Sequence, residues 1–318
     1  MRFERVLITG GAGFLGTHLC ERLVGDVRVR IFDSFHRNAL RFTDIATHPA
    51  VEIVQGDVLD YERVLNVVDG CDLVIHAAAI AGVSHYLTQP LTTMETNLIG
   101  SYNVLRAAAQ RKVKRFLMLS SCEVYGQHAR WTAEEEATAI GTPLESRWCY
   151  GASKVGSEHL AMAFQRQKNL PVTILRPFNI YGPRQIGEGA IANFCRRAVR
   201  GEPIEIYGTG SQRRAWCHVE DFTRAVLLCL ERESGGEVFN IGNPDGDAAV
   251  SELARLIVEI SGSRSELRFL PQSWAETQER RPNIARARRV LGFEPRVSLR
   301  DGIARTVEWF RTHREALQ

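Results

Sequence analysis

The chain has 318 residues, a formal net charge of +3, and apolar and charged fractions of 44% and 24%. These values are typical of a soluble globular protein with two domains or with one large domain and a lobe, and so small a net charge gives no support for a nucleic-acid partner. No apolar run is long enough to cross a bilayer and the chain enters a predicted strand directly, so we expect a cytoplasmic protein with no signal peptide and no membrane contact.

The cysteines are scattered singly and mostly stand in apolar surroundings. They form no Cys-x-x-Cys pair and no His/Cys cluster at zinc-binding spacing, so the sequence indicates no metal site. We expect reduced core residues in a cytosolic chain. The seven positions are Cys20, Cys71, Cys122, Cys149, Cys195, Cys217 and Cys229.

The first predicted strand, residues 6–8, leads into a glycine-rich turn and then into a helical pattern. The glycines are Gly10, Gly13 and Gly16, each three residues after the last. Glycine is required where a turn is tight, where backbone amides approach a pyrophosphate, and where a helix packs closely on a strand. The helix N-terminus adds N–H donors and a favourable dipole for the anion. The strand, turn and helix together predict a dinucleotide-binding site.

The second predicted strand, residues 29–32, ends at Asp33. A carboxylate at this place accepts hydrogen bonds from the adenosine ribose hydroxyls and repels a 2′-phosphate, which favours NAD over NADP. Arg37 and Arg41 follow closely and keep NADP open as the less favoured alternative. Asp33 as a plain turn residue or helix cap is the other interpretation.

Strands and helices continue to alternate, with strands predicted at 51–54 and 73–75 and helices at 60–68 and 90–110. This order predicts an α/β fold of the Rossmann type, a doubly wound parallel sheet. His76 ends the fourth strand and is expected to be a structural histidine. The candidate cofactor contacts in this half are Gly10, Gly13, Phe14, Leu15, Gly16, Asp33, Asp57, Val58 and Ala77.

Polar side chains follow the buried strand predicted at 114–119. Ser121, Cys122 and Glu123 come in consecutive positions directly after it. Tyr150 and Lys154 follow downstream with Tyr-x-x-x-Lys spacing, which places both on one face of a helix. Because ligands of open parallel sheets bind beyond the carboxyl ends of the strands, we expect these five residues to form the catalytic group.

These motifs together resemble the extended short-chain dehydrogenase/reductase family, in its nucleotide-sugar epimerase, dehydratase and decarboxylase branch. The resemblance implies a bound NAD that is used and regenerated in each turnover. It also implies that Tyr150, as phenolate, takes the proton of the sugar 4-hydroxyl. Lys154 would lower the pKa of that tyrosine and hold the nicotinamide ribose, so both residues also count as cofactor contacts. Ser121 would bind O4.

The second half of the chain resembles the family's smaller α/β substrate-binding lobe. We expect the NAD-binding domain to comprise residues 1–177 with roughly 215–245, and an interleaved lobe to comprise 178–214 and 246–318. An arginine suits a diphosphate because its guanidinium makes paired hydrogen bonds. The ligand implied by the resemblance is a nucleotide sugar, with UDP as the expected nucleotide. The candidate substrate contacts are Asn179, Arg184, Asn193, Tyr207, Arg214 and Arg280.

The reaction that follows oxidation at C4 is the open question. Glu123 argues for chemistry at C5 or C6, because the family's plain 4-epimerases usually lack an acid there. UDP-glucuronate decarboxylases have Ser before this Glu. They resemble the chain at His85-Tyr86, at Arg147-Trp148-Cys-Tyr150 and at Arg280, which falls on their carboxylate-region arginine. Cys122, however, also occurs in 5,6-dehydratases.

We therefore expect a UDP-glucuronate decarboxylase first, a 5,6- or 4,6-dehydratase second and a UDP-glucuronate 4-epimerase third. A catalytically silent NAD-binding scaffold is the alternative from another class of protein. The helices predicted at about 90–110 and 150–168 carry more apolar residues than one sheet face needs. Since such helices pair into a four-helix interface in this family, we expect a homodimer.

Overall fold

A computed structural model describes residues 3–128, 130–232, 235–272, 274 and 277–317. The strands are β1 (Arg5–Thr9), β2 (Arg28–Asp33), β3 (Val51–Gln55), β4 (Leu73–His76), β5 (Arg115–Leu119), β6 (Arg130–Thr132), β7 (Val172–Pro177), β8 (Ile180–Tyr181), β9 (Ile204–Tyr207), β10 (Arg213–Ala215), β11 (Cys217–His218), β12 (Glu237–Ile241), β13 (Asp247–Ala249), β14 (Leu267–Leu270) and β15 (Glu279–Pro282). The helices are α1 (Phe14–Leu23), α2 (Tyr61–Val68), α3 (Val83–Thr88), α4 (Pro90–Met94), α5 (Gly100–Gln110), α6 (Cys149–Lys168), α7 (Ala190–Arg200), α8 (Val219–Glu231), α9 (Val250–Ser261), α10 (Ala285–Leu291) and α11 (Leu299–Thr312).

A seven-stranded sheet forms the larger part of the molecule. Its strands run in the order β12-β7-β5-β4-β1-β2-β3, and every neighbouring pair is parallel. The chain moves from β1 outward to β3 and then returns to β4, so the order reverses between β1 and β4. Ligands of open parallel sheets bind beyond the strand ends at such a reversal. The predicted Rossmann-type sheet is confirmed.

Apolar cores cover both faces of this sheet, as its near-continuous hydrophobic strands require. On one face α1 and α8 pack against the strands through fully buried side chains such as Leu19 and Phe222. On the other face α2, α5 and α6 do the same, with Val64, Leu105 and Ala161 among the buried residues.

A smaller group of elements packs beside the carboxyl ends of the large sheet. It contains a four-stranded sheet of order β13-β10-β15-β6 and two parallel pairs, β11 with β8 and β14 with β9. Helices α7, α9 and α11 enclose a separate core that includes Phe194, Leu253 and Phe310. The chain returns to the large sheet between these parts, because β12 pairs with β7.

The helix predicted at 90–110 contains an interruption. Its middle turn, Glu95–Ile99, is π-helical, and the buried Asn97 lies in it. The Asn97 side chain accepts a hydrogen bond from the Ile80 amide at 2.8 Å and donates to the Ile80 carbonyl at 3.1 Å. The helix thus widens where one amide side chain holds the segment after β4.

His76 is buried at the end of β4, and its ring nitrogens bond to the hydroxyls of Thr9 at 2.7 Å and Ser101 at 2.9 Å. Burial lowers the pKa of His76 to about 3, so the ring is neutral at physiological pH. The predicted structural role is confirmed. Among the described residues, none belongs to a helix with the length and apolar character needed to span a bilayer.

Candidate active site

The turn between β1 and α1 leaves no room for side chains at its glycines. Gly10 has φ +71°, and a Cβ there would lie 2.6 Å from the backbone nitrogen of Ala78. A Cβ on Gly16 would collide with the Gly10 carbonyl. Helix α1 begins at Phe14, its N-cap Gly13 offers no side-chain cap, and its first turn has no acidic residue. Its N–H groups and dipole are therefore open to an anion, and the turn fits a dinucleotide pyrophosphate.

Asp33 ends β2 beside this turn. Its carboxylate accepts hydrogen bonds from the backbone N–H of Ala12 at 2.9 Å and of Phe35 at 2.7 Å. Arg37 and Arg41, which kept NADP as the less favoured alternative, make other contacts. Arg37 lies against Gly187, and the Arg41 guanidinium lies 4.7 Å from the Phe42 ring centroid. The geometry therefore fits the ribose contact expected for NAD.

The other candidate cofactor contacts surround the same sheet edge. Ala77 follows β4, and its amide bonds to the Thr9 carbonyl at 3.0 Å. Val58 is buried under the carboxamide of Asn103, which donates to its carbonyl at 3.0 Å. Asp57 is exposed, and its carboxylate accepts a hydrogen bond from the Leu59 amide at 2.9 Å. Asp57 therefore shapes the turn that follows β3.

The candidate catalytic group forms where β5 ends and α6 begins. Tyr150 lies in the first turn of α6 and is hydrogen-bonded to Ser121. Lys154 lies one turn further, with its Nζ donating to the Leu119 carbonyl at 2.9 Å and standing 5.9 Å from the Tyr150 ring centroid. Burial raises the pKa of Tyr150, whereas burial lowers the pKa of Lys154 to about 8.

Glu123 is bound by two arginines from distant parts of the chain. Arg280 on β15 donates from Nη1 to Oε1 at 2.8 Å, and Arg147, which precedes α6, donates from Nη2 to Oε2 at 3.0 Å. Burial alone would raise the pKa of Glu123, but the two guanidinium groups outweigh it and hold that pKa below its ordinary value. The carboxylate is therefore ionised at neutral pH and cannot serve there as a proton donor.

Cys122 lies in a small apolar cluster with Val124, Tyr125 and Phe178. Burial raises the pKa of the Cys122 thiol, although the Arg280 guanidinium and, to a smaller extent, hydrogen bonds with the Asn179 backbone and with Ser121 lower it in part. The thiol is therefore protonated at neutral pH and is a poor acid.

A cavity of about 560 Å³ opens between the large sheet and the smaller group of elements. Four predicted substrate contacts line it, namely Asn193 on α7, Tyr207 on β9, Arg214 on β10 and Arg280 on β15. Glu123 lies at the catalytic end of the same cavity. Among the described residues, six arginines and three glutamates line it, so its walls carry a surplus of positive charge.

Two predicted substrate contacts lie outside this lining. Asn179 has φ +45° and donates from Nδ2 to the Ala215 carbonyl at 3.1 Å, so it joins the segment after β7 to β10. Arg184 pairs with Glu21 and with the ring of His18 on α1. The resemblance carried both residues into the substrate site, whereas in the structure their side chains contact protein.

Three further residues that line the cavity are Tyr86 and Arg147, which the sequence analysis named only as part of the decarboxylase-like stretches, and Trp274, which it did not select. The Tyr86 ring stacks on the Tyr150 ring with centroids 5.9 Å apart. Trp274 lies 5.1 Å from the Tyr207 ring centroid. Besides that resemblance, the position of Arg147 three residues before Tyr150 was a signal, because α6 begins between them and brings both to the same place.

Comparison with known proteins identifies related chains over nearly the whole length. The model of the NAD dependent epimerase/dehydratase family matches residues 6–242. A UDP-N-acetyl-alpha-D-glucosaminuronate decarboxylase from Bacillus cytotoxicus is 34% identical, and the alignment covers 97% of this chain and 98% of that protein. UDP-glucuronic acid decarboxylase 2 from Arabidopsis thaliana is 36% identical, with 96% of this chain and 68% of that protein covered.

A solved structure shares the fold. The UDP-glucuronic acid 4-epimerase from Bacillus cereus, crystallised with UDP-glucuronic acid and NAD, is 27% identical to this chain and superposes with a TM-score of 0.88. The superposition covers 97% of this chain and 99% of that one.

Proposed function

The chain belongs to the NAD-dependent epimerase/dehydratase family, and we propose that it removes carbon dioxide from a UDP-linked uronic acid, with UDP-glucuronate as the substrate. The observation that carries this proposal is the pairing of Glu123 with Arg280 and Arg147 beside Tyr150. A uronic acid brings a carboxylate to this end of the cavity, where the arginines outnumber the single glutamate.

The charge of the whole cavity supports the same substrate class. Its arginines outnumber its glutamates by six to three among the described residues. A nucleotide diphosphate accounts for part of this surplus, and a sugar carboxylate adds one more negative charge to match it. A neutral hexose would bring no negative charge to the arginine side chains that line this cavity.

The proposed oxidation uses Tyr150, Ser121 and Lys154. Gly10, Gly16 and Asp33 would hold NAD, and when bound it would supply a reversible hydride acceptor for C4 of the sugar. Tyr150 takes the proton of the 4-hydroxyl, and Ser121 orients O4 through its hydrogen bond with Tyr150. Lys154, when protonated, places a positive charge near the Tyr150 ring and stabilises the phenolate.

Decarboxylation then follows from the chemistry of the sugar itself. A ketone at C4 makes the C6 carboxylate part of a β-keto acid, so the C5–C6 bond breaks and its electron pair moves into an enolate at C4 and C5. A proton from water, added at C5, restores the ketone. Return of the hydride to C4, together with the proton of Tyr150 to O4, completes the turnover. Arg280 orients the carboxylate for this step.

The state of Cys122 weakens the dehydratase alternative. In that alternative an acid at this position protonates a departing hydroxyl. Here the thiol is buried among apolar residues and burial raises its pKa, so it is a poor proton donor. The intact catalytic group likewise argues against a silent scaffold.

UDP-N-acetylglucosaminuronate is a second candidate substrate. The observation that favours it is the Bacillus cytotoxicus relative, of which this chain covers 98% at 34% identity. Both candidates carry the same C6 carboxylate and differ only at C2 of the sugar.

Mass spectrometry after incubation with candidate substrates tests the proposal. The panel contains both uronates, UDP-N-acetylglucosamine and dTDP-glucose. We expect loss of carbon dioxide from UDP-glucuronate. Loss of water would instead support a dehydratase, an unchanged mass with a new NMR spectrum would support a 4-epimerase, and no change with any substrate would support a silent scaffold.

We also propose that the protein is a homodimer located in the cytoplasm. Leu91 on α4, Ile99 in the π-helical turn that follows it and Tyr102 on α5 are exposed, which supports the dimer. The seven cysteines are all free and six are buried, which suits a reducing compartment.

A further inference from the structure

The segment that connects β8 to α7, residues 183–189, is named the strap. Its first end is held on α1, where the ring Nε2 of His18 donates to the Pro183 carbonyl at 2.9 Å. Arg184 donates to Glu21 of the same helix at 2.6 Å. Burial and the neighbouring Arg184 charge lower the pKa of His18 to about 3, so the ring is neutral and its Nδ1 accepts from Arg184 at 2.8 Å. The strap is therefore fixed to the helix that begins at the dinucleotide turn.

The other end of the strap reaches the segments that follow β4 and β2. The Glu188 carboxylate accepts hydrogen bonds from the Ser84 amide at 3.1 Å and from the Ser84 hydroxyl. A Cβ on Gly82 would lie 2.5 Å from Oε2 of Glu188, so glycine at this position admits the carboxylate. A Cβ on Gly187 would lie 2.9 Å from Nε of Arg37, which follows β2. The strap thus contacts one helix and two loops.

These contacts lie around the candidate NAD site. Gly10, Asp33 and Ala77 stand at or just beyond the carboxyl ends of β1, β2 and β4. The strap contacts the chain further along from each of these ends, at α1, at Arg37 and at Ser84. Because a dinucleotide binds in the crevice beyond such strand ends, the strap spans the open side of that crevice.

The strap can open at its Glu188 end while it stays attached to α1. Gly182 precedes it, Gly189 ends it, and Gly187 inside it has φ +94°, so glycines provide the freedom that a hinge needs. Ser84 is exposed, so its hydrogen bonds with Glu188 exchange readily for bonds with water. Opening there breaks contacts at the surface and leaves the partly buried contact at His18 in place.

We infer that the strap closes over bound NAD and retains it between turnovers, with the contact between Glu188 and Ser84 as the fastening that opens. This inference rests on the NAD cofactor and not on the identity of the sugar. A reaction that regenerates its NAD needs no exchange of the cofactor, whereas the sugar nucleotide must enter and leave in each turnover. None of the described residues that line the sugar-nucleotide cavity belongs to the strap, so substrate exchange does not require the strap to open.

Exchange of labelled NAD tests this inference on the full chain. The holoenzyme is loaded with deuterium-labelled NAD and moved into an excess of unlabelled NAD, and mass spectrometry of the bound label over time gives the dissociation rate. Equilibrium dialysis gives the Kd. Glu188→Ala should raise the dissociation rate by about fivefold to tenfold, as expected for a lost hydrogen bond. The Kd should change by less than about twofold, because the fastening joins two protein groups and its loss speeds entry and exit together.

A matched control is another exposed carboxylate that accepts a backbone amide. Glu136 accepts the Ala133 amide at 2.7 Å, and no contact described for it involves the strap or the candidate NAD site. Glu136→Ala removes the same charge and should leave the dissociation rate of NAD unchanged. Ser84→Ala is the second variant, and it decides the question if Glu188→Ala does not fold. It removes only the hydroxyl contact and keeps the amide, so the dissociation rate should rise by about twofold to fourfold.

An unchanged dissociation rate in both strap variants would overturn the inference. A rise in Kd equal to the rise in dissociation rate would also overturn it, because Glu188 would then act on NAD affinity and not as a fastening. The same rise with Glu136→Ala would overturn it as well. The carbon dioxide assay is a separate readout: a wild type that releases none would overturn the decarboxylase proposal and leave the retention of NAD by the strap standing.

Discussion

At the scale of single residues, the proposed chemistry depends on the phenolic oxygen of Tyr150. Its ring is held between the stacked ring of Tyr86 and the side chain of Lys154, and its hydroxyl bonds to Ser121. Removing only that oxygen leaves every packing contact of the ring in place.

We therefore predict that Tyr150→Phe abolishes turnover and keeps the fold and NAD binding. Turnover is followed by product formation, the fold by circular dichroism, and bound NAD by absorbance after denaturation. Retention of more than a small fraction of the wild-type rate would contradict the oxidation mechanism. Tyr102→Phe is a suitable control, because Tyr102 is 41% exposed on α5.

Arg280 and Cys122 separate decarboxylation from dehydration. For a uronate, Arg280→Ala removes a charge-assisted contact of about 1.5–3 kcal/mol and leaves Glu123 with Arg147 alone, so kcat/KM should fall by orders of magnitude. Cys122→Ser should be nearly silent, because the thiol is buried and its raised pKa makes it a poor acid. Both variants are assayed on the same accepted substrate. A severe loss with Cys122→Ser and a mild one with Arg280→Ala would point to a dehydratase instead.

Sequence reasoning could group the candidate catalytic residues, which the structure brings together, because they are adjacent in the chain or one helical turn apart. It named Arg147 and Tyr86 only as part of a resemblance and gave them no role in the site, because their contacts are with residues far away in sequence. The same limit explains why Arg184 was predicted to contact the substrate. Its place in a familiar motif suggested the substrate, but packing of the 183–184 turn against α1 gives it His18 and Glu21 as partners.

At the scale of elements, a buried ion pair joins α6 to the sheet. Arg176 on β7 donates from Nε and Nη2 to the two carboxylate oxygens of Glu158 on α6, at 2.9 Å and 2.7 Å. Its Nη1 donates to the Tyr125 hydroxyl at 2.6 Å, and that hydroxyl donates to Asn240 on β12 at 2.9 Å. The pair thus fixes the helix that carries Tyr150 and Lys154.

We predict that Glu158→Ala lowers the free energy of unfolding by about 3–5 kcal/mol, because it leaves the buried Arg176 guanidinium without its carboxylate. Urea denaturation measures the change. The exposed pair of Arg300 and Glu259 provides the control, and Glu259→Ala should cost less than about 1 kcal/mol. An equal loss of unfolding free energy in the two variants would contradict a stabilising role for the buried pair.

The elements themselves were largely predictable, since buried parallel strands form continuous apolar runs. The predicted strand at 73–75 is β4, and the helix at 60–68 is α2, each within one residue at either end. The π-helical turn around Asn97 was not predictable in the same way. It depends on hydrogen bonds between Asn97 and Ile80, which come together only in the folded chain.

At the scale of the whole molecule, the chain forms two parts that exchange segments. We propose the division predicted from the sequence, and the pairing of β12 with β7 supports it because that strand returns to the large sheet after the first lobe segment. The cavity lies between the parts, so residues from both are needed to surround a sugar nucleotide. Glu123 and Arg280 are the clearest example of such a pair.

We predict a homodimer of twice the 35.7 kDa chain mass. Leu91 and Ile99 are 69% and 48% exposed on the continuous helix that includes α4 and α5, and pairing of these helices would bury them. Light scattering at micromolar concentration should give the dimer mass, and Ile99→Glu should shift it toward the monomer. A monomeric wild type would contradict this prediction.

The most direct test of the central claim uses UDP-glucuronate that carries deuterium at C4. The enzyme should release carbon dioxide and yield a UDP-pentose that retains the label at C4, because the hydride removed by oxidation is the one returned. Mass spectrometry and NMR measure both outcomes in one reaction. Loss of water, an unchanged mass, or carbon dioxide release with loss of the C4 label to solvent would contradict the account.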